Sequence, residues 1–191
     1  MTLQKRRIVL KSFIESQFSY CPLIWMFHGR ITNTKINRIH ERALRLIYND
    51  YISTFEELLD KDGSFSIHHR NLQLLAIELY KNKHGESPEI MQNILVNSEY
   101  NGPNLRCQMD FHRPYKKHVY SGDDSIQALG PEIWNIIPSD IRDAESVDKF
   151  KNLIRKWKPT SCPCRLCKVY VQRQGYTNVI ENYLDPIRPK M

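Results

Sequence analysis

Apolar residues recur at helical spacing along most of the chain, and this pattern predicts a mainly α protein. The first helix is predicted over residues 3–18, with an apolar face formed by Val9, Leu10, Phe13, Ile14 and Phe18. Pro22 is expected to kink or restart this helix before the apolar residues 23–27, and Gly29 is expected to end it. The next helix is predicted over residues 33–48, where the apolar face consists of Ile36, Ile39, Ala43, Leu46 and Ile47.

Three further helices are predicted after this one. Ser53 and Glu56 have the spacing of a capping box, which starts a short helix through Leu59. Residues 66–84 form the most apolar helix, so we expect it to be the central, buried element, ended by Gly85. The last of the three begins with a cap, a proline at the first helical position and an acid in the first turn, in the order Ser87, Pro88 and Glu89.

The helical periodicity fails over residues 96–124 and returns at Ser125. Short helical turns are predicted over residues 131–136 and 138–142. Ser146 is expected to cap a last helix with an apolar face of Val147, Phe150, Leu153, Ile154 and Trp157. The predicted organisation is a helical bundle over 2–95, an irregular linker or loop over 96–124, a helical subdomain over 125–158, and a cysteine-containing polar tail over 159–191.

Composition favours a basic protein with a polyanionic partner. The 28 Lys and Arg residues exceed the 21 Asp and Glu residues, giving a formal charge of +7, which suits nucleic acid or a merely soluble basic protein. The longest apolar run, residues 20–27, is far shorter than the ~20 residues of a membrane helix. An odd number of cysteines, five, argues against a disulfide framework. We expect an intracellular protein, nuclear or cytoplasmic, that is not secreted and has no membrane partner.

Two basic stripes are candidates for contact with phosphates. Within the second long helix, cations recur at intervals of three, four and three residues over roughly 15 Å, at Lys35, Arg38, Arg42 and Arg45. The last helix presents Lys149, Lys151, Arg155 and Lys156 opposite its apolar face. Such lines of charge can meet a phosphate backbone without reading bases. The alternatives are a solvated face for the first stripe and an amphipathic packing helix for the second.

A cysteine cluster in the tail is a candidate zinc site. Cys162, Cys164 and Cys167 supply three thiolates, whereas structural zinc needs four ligands. Cys107 or His112 could complete the set only if the preceding loop folds back, so free thiols are the default. No cofactor is otherwise required. We place four other residues in apolar surroundings, where core packing is expected, namely Cys21, Trp25, Trp134 and Trp157. His68 and His69 are expected to be a surface or half-buried pair.

Three blocks, taken in order, resemble the C-terminal third of jockey-like non-LTR retrotransposon reverse transcriptases. The first resembles the thumb segment of that family and contains residues 12–14, 18–20, Trp25 and 39–47, the last with its Arg42-Ala43-x-Arg45-x-Ile47 pattern. The second is the apolar helix over residues 72–80. The third and most specific contains Ser125-Ile126, residues 130–135, Ile137-Pro138, Ile141-Arg142, Ser146, Phe150-Lys151 and Trp157.

The resemblance implies a thumb-like helical bundle followed by a smaller helical subdomain. The blocks span roughly residues 8–168, and the cysteine cluster also resembles tails of such elements. The family is an RNA-directed DNA polymerase whose endonuclease and catalytic core lie upstream of this region. The thumb of such an enzyme grips the template–primer duplex, so the resemblance favours the same use for the first basic stripe.

Polymerase chemistry itself is not expected from this chain. Two-metal catalysis needs carboxylates that converge from different palm strands. Gly122-Asp123-Asp124 resembles the metal-binding triplet of viral RNA polymerases, but it lacks flanking apolar strands and a second upstream aspartate strand. The remaining histidines and cysteines form no recognisable nucleophile setting. We therefore expect no catalytic residues and no small-molecule substrate.

The sequence thus predicts a non-catalytic C-terminal fragment of a retrotransposon polymerase. It would bind RNA or RNA–DNA hybrid non-specifically, through backbone charges, and support a polymerase core supplied elsewhere. Two alternatives remain at this stage: a zinc-stabilised protein-interaction module, and an inactive remnant of a decayed element. Initiation at Met1 within what resembles mid-protein sequence favours the remnant.

Overall fold

The computed structural model describes residues 2–27, 30–95, 110–111 and 125–158. Helix accounts for 72% of these residues and strand for none of them, which confirms the mainly α class. In chain order the elements are α1 (Leu3–Val9), a π-helical segment (Leu10–Glu15), α2 (Ser16–Phe18), α3 (Pro22–Trp25), α4 (Arg30–Tyr48), α5 (Phe55–Asp62), α6 (Ile67–Lys83), α7 (Glu89–Ile94), α8 (Ile126–Asn135), α9 (Ser139–Arg142) and α10 (Val147–Ile154).

The chain divides into two compact units. The described part of the first unit comprises residues 2–21 and 30–67. That of the second comprises residues 22–27, 68–95, 110–111 and 125–158. None of the helices in these ranges is both long and apolar enough to cross a membrane.

The first unit is built on one apolar core shared by the N-terminal helical segments, α4 and α5. The core residues are Leu10, Ala43, Leu44, Ile47, Phe55 and Leu58, with Ile14, Tyr48 and Leu59 packed against them. Arg6 Nη1 donates to the carbonyl oxygens of Leu46 (3.3 Å) and Ile47 (3.2 Å), near the C-terminus of α4. A cation there satisfies terminal carbonyls and opposes the negative end of the helix dipole. The bond also fixes the last turn of α1 beside the end of α4.

The predicted apolar faces in this unit are partly wrong. Phe13 is 73% exposed, Ile39 46% and Leu46 64%, although the helical pattern predicts all three at core-facing positions. In α4 the packed face centres on Leu44 and includes two polar residues, Asn37 and His40. At 100° per residue, Ile39 and Leu46 lie about 140–160° around the helix from Leu44. They therefore face away from α5 and the N-terminal helix.

The capping box at the start of α5 lies one residue later than predicted. Thr54 is the N-cap: its hydroxyl accepts from the Glu57 backbone N–H, and the Glu57 carboxylate accepts from the Thr54 N–H at 2.8 Å. Ser53 precedes the N-cap, and its hydroxyl donates to Asp50 Oδ2 at 2.8 Å. Gly63 ends the helix with φ +66°, a left-handed conformation that glycine adopts at little cost.

In the second unit, α6 is the buried element that the sequence predicts. Leu75, Ala76 and Leu79 are completely buried. The Tyr80 ring stacks on Phe150 with centroids 4.3 Å apart, and its hydroxyl donates to the Ala144 carbonyl oxygen. These contacts join α6 to residues more than 60 positions away in sequence. The compact units therefore group α6 and α7 with α8–α10, whereas the predicted organisation places 2–95 and 125–158 in separate domains.

Two helix starts in the second unit differ from prediction. Pro88, rather than Ser87, is the N-cap of α7, and the Ser87 hydroxyl donates instead to the Glu78 carbonyl oxygen at 3.3 Å. α8 begins after the Ser125 cap and continues through Pro131, where the sequence predicts separate short turns. Gly130 permits its close packing, since an added Cβ would lie 3.2 Å from Leu95 Cδ2 and 3.5 Å from Leu79 Cδ2.

The four residues predicted to pack in the core, Cys21, Trp25, Trp134 and Trp157, differ in their burial. Trp134 is fully buried, as predicted, and packs edge-on against Phe111. Trp25 and Trp157 are half-buried. The core prediction for Cys21 is wrong: its thiol is exposed and its φ of +43° places it in a turn after α2.

Candidate nucleic-acid interface

The outward face of α4 carries most of the first predicted basic stripe. Lys35 and Arg42 are exposed and Arg38 is half-exposed, and none of the three forms an ion pair with another described residue. Packing of Leu44 and Ala43 into the core turns this arc of the helix outward. At 1.5 Å per residue, the three cations span about 10 Å of the helix axis.

Arg45 does not belong with these three free cations. Its Nη2 and Nε lie 2.6 and 3.1 Å from Glu41 Oε1, and its Nη1 donates to the Asp50 carbonyl oxygen at 3.5 Å. Both side chains of this ion pair are largely buried. Glu41 is the only acidic residue in α4, so this pairing leaves no uncompensated carboxylate on the helix. Arg45 therefore orders the surface and contributes little net charge to it.

Arg7 also has a structural role, because it forms an ion pair within the first unit. Arg7 Nε lies 2.9 Å from Asp62 Oδ1, and the Tyr48 hydroxyl donates to the same oxygen at 2.8 Å. Burial, followed by the bond to Asp62, raises the pKa of Tyr48. This cluster ties α1, α4 and α5 together, so Arg7 is not available for a ligand.

A rigid turn follows α4 and presents two apolar side chains. The Asp50 carboxylate accepts from the backbone N–H of Ile52 (3.3 Å) and Ser53 (3.0 Å), from the Ser53 hydroxyl, and from Lys61 Nζ (3.1 Å). The Ser53 backbone bond, then its hydroxyl bond, hold the pKa of Asp50 well below its ordinary range. Between these anchors, Tyr51 is 63% and Ile52 98% exposed.

Sequence reasoning missed this turn as a functional feature. The available signal was an Asp three residues before a Ser, the spacing of a side-chain-capped turn, enclosing an aromatic and an aliphatic residue. Apolar residues inside such a turn have no neighbouring helix to cover them.

The second predicted stripe, on α10, is partly neutralised. Lys149 pairs with Glu145 at 3.0 Å and Lys151 with Asp148 at 3.1 Å, in both cases within one helical turn. Arg155 and Lys156 are exposed, and neither forms an ion pair with another described residue. Among the described residues of this stripe, the free positive charge therefore lies at Arg155 and Lys156, just after α10 ends at Ile154.

Asp110 forms a polar cluster in the second unit. It accepts from the indole Nε1 of Trp134 at 2.6 Å and from Lys83 Nζ at 3.1 Å, with Arg142 Nη1 at 3.8 Å. Burial tends to raise the pKa of Asp110, but the Trp134 and Lys83 hydrogen bonds outweigh it and lower the pKa. Three protein groups converge on one oxygen of this carboxylate, Oδ2, which indicates a structural role.

The histidine pair is structural as well. His69 Nε2 lies 3.0 Å from the Trp157 carbonyl oxygen, which can only accept, so the ring donates. Burial lowers the pKa of His69, although the Trp157 bond partly opposes this effect. His68 is buried and His69 half-buried. Both residues therefore contribute to the packing of α6.

The described residues contain no group of three His, Cys, Asp or Glu side chains placed to hold a metal ion. The tail cysteines Cys162, Cys164 and Cys167 lie outside the described residues, as do Cys107 and His112. Asp123 and Asp124 lie outside them too. The zinc site and the interpretation of the Gly-Asp-Asp triplet stay predictions.

Comparison with known proteins adds no assignment. No model of a known protein family matches the chain, and neither the curated proteins nor the solved structures contain a significant match to it.

Proposed function

We propose that this chain is a non-catalytic C-terminal fragment of a retrotransposon RNA-directed DNA polymerase that binds RNA or RNA–DNA hybrid. The observation that carries the proposal is the outward line of Lys35, Arg38 and Arg42 on α4, the helix with the family-like Arg42-Ala43-x-Arg45-x-Ile47 pattern. A polymerase core supplied elsewhere would provide the metal-binding carboxylates and the chemistry.

The mode of binding follows from the chemistry of these groups. Three cations without an ion-pair partner among the described residues attract phosphates and release condensed counterions when they bind. They meet the nucleic-acid backbone and carry no direct sequence information, so binding is non-specific. The Arg45–Glu41 pair neutralises the one acidic side chain of α4.

A salt titration tests the proposal. The variant Lys35→Gln/Arg38→Gln/Arg42→Gln should weaken binding and flatten the plot of log affinity against log salt. The slope should fall by about 0.9 for each duplex phosphate that the variant no longer neutralises, or by about 0.7 for each phosphate of a single strand. Gel shift or fluorescence anisotropy on RNA and on RNA–DNA hybrid measures both quantities.

A matched variant removes the same charge from the second stripe. Lys149→Gln/Lys151→Gln/Arg155→Gln should change the slope less, because Lys149 and Lys151 are already paired with acids. Equal slopes for wild type and the α4 variant, or an equal effect of both triple variants, would remove α4 from the proposed interface.

A further inference from the structure

One ridge of α4 alternates apolar and cationic side chains. Successive members of this ridge are three or four residues apart, in the order Ile31, Lys35, Ile39, Arg42 and Leu46. All five are exposed, and they fall within an arc of about 80° over roughly 22 Å of helix. The aliphatic members are as much a part of this surface as the cations.

The turn comes directly after α4, beyond the C-terminal end of the ridge. The hydrogen bond from Arg45 Nη1 to the Asp50 carbonyl oxygen holds the turn against the side of α4 that carries Arg45. Four bonds to the Asp50 carboxylate hold the backbone of the turn, so presenting Tyr51 and Ile52 requires no further backbone ordering. A preorganised backbone lowers the conformational entropy that is lost on binding.

We infer that this surface, defined by the α4 ridge with Tyr51 and Ile52, binds single-stranded RNA in preference to a duplex. The inference rests on the proposed function and specifies its ligand. A duplex presents phosphates on its outside while its base faces are stacked inside, so exposed Ile, Leu and Tyr side chains gain nothing from it. A single strand offers phosphates to Lys35 and Arg42 and unstacked base faces to Tyr51.

Charge decides the class of partner. The free cations of the surface fit a polyanion, and the aromatic residue at its end fits a base, which together match the common design of single-strand binders. An acidic protein segment would also meet the cations, but it would gain no specific benefit from an aromatic ring compared with an aliphatic one of similar size.

The decisive experiment compares Tyr51→Ala with Tyr51→Phe in the full chain. Anisotropy is measured on a fluorescent single-stranded RNA and on a blunt RNA duplex of equal length at one salt concentration. Tyr51→Ala should weaken single-strand binding about 5- to 150-fold, the loss expected for one stacked base. It should leave duplex binding within twofold. Tyr51→Phe should match wild type on both, because the ring is kept.

Each other outcome counts against the inference. If Tyr51→Ala leaves single-strand binding unchanged, or weakens both ligands equally, single-strand selection by this surface is wrong. If Tyr51→Phe is as weak as Tyr51→Ala, the hydroxyl acts rather than the ring, and stacking is wrong. Failure of the proposed function looks different: neither RNA binds wild type, or the α4 triple variant retains the wild-type salt slope.

Discussion

Identical residue types on α4 have different roles, and their surroundings decide which. Arg42 and Arg45 are three residues apart, yet Arg42 is exposed while Arg45 is held by Glu41 and the Asp50 carbonyl oxygen. Sequence spacing places both on one stripe. The i,i+4 spacing of Glu41 and Arg45 was the available signal for their pairing, whereas the bond from Arg45 to the Asp50 turn depends on the folded chain.

Asp110 provides a prediction at the scale of one residue. Asp110→Ala removes the acceptor of the fully buried Trp134 indole, which leaves that N–H unsatisfied. The expected loss is about 1–3 kcal/mol in the free energy of unfolding. Chemical denaturation followed by Trp fluorescence measures it.

Asp110→Asn is the matched control for this prediction. Its amide oxygen still accepts from Trp134 while the charge facing Lys83 and Arg142 disappears. It should therefore cost less than Asp110→Ala. Equal stability of Asp110→Ala and wild type would show that Trp134 does not depend on this bond.

At the scale of elements, helix existence is predicted better than helix orientation. The predicted helices over 3–18, 33–48 and 66–84 all have counterparts in the structure. Their faces are less well predicted in the first unit, where the π-helical segment Leu10–Glu15 adds residues to each turn and shifts the spacing on which an α-helical pattern depends. Glu15 is consequently buried, and Phe13 faces solvent.

The cap of α5 gives a prediction with a built-in control. Glu56 and Glu57 both lie in the first turn and both interact favourably with the helix dipole, but only Glu57 closes the capping box. Thr54→Ala should cost about 1 kcal/mol. Glu57→Ala should lower the melting temperature more than Glu56→Ala does, as measured by circular dichroism. The reverse order would restore the register predicted from Ser53 and Glu56.

The grouping of helices belongs to the whole molecule and depends on contacts between residues distant in sequence. Composition and periodicity are sufficient for the mainly α class, and the apolar content of α6 is sufficient for its burial. Composition and periodicity cannot predict that Tyr80 contacts Phe150 and Ala144. Local spacing shows which face of a helix is buried, but it does not show which distant residues pack against that face. The Tyr51–Ile52 turn was missed for a related reason: its importance comes from exposure, which local spacing does not specify.

The pH dependence of stability also belongs to the whole molecule, because groups in both units contribute with known signs. The pKa values of Asp50 and Asp110 are lowered by folding, so their stabilisation exists above the ordinary carboxyl range and is lost as the pH falls through their lowered values. The pKa values of Tyr48 and Tyr80 are raised, Tyr80 mainly by burial. Stability should therefore decline above about pH 10, where unfolded tyrosine ionises first.

His69 gives a separable signal in mildly acidic solution. Its pKa is lowered by folding, so just below about pH 6.5 the unfolded chain binds more protons at this site than the folded chain. Stability should therefore fall as the pH decreases through this window, and level off at this site once the folded imidazole is also protonated. Urea unfolding between pH 5 and 7 (about the range of histidine titration) should show a smaller slope for His69→Gln than for wild type. The glutamine amide can still donate to the Trp157 carbonyl oxygen but cannot titrate, so an unchanged slope would assign the proton uptake to another group.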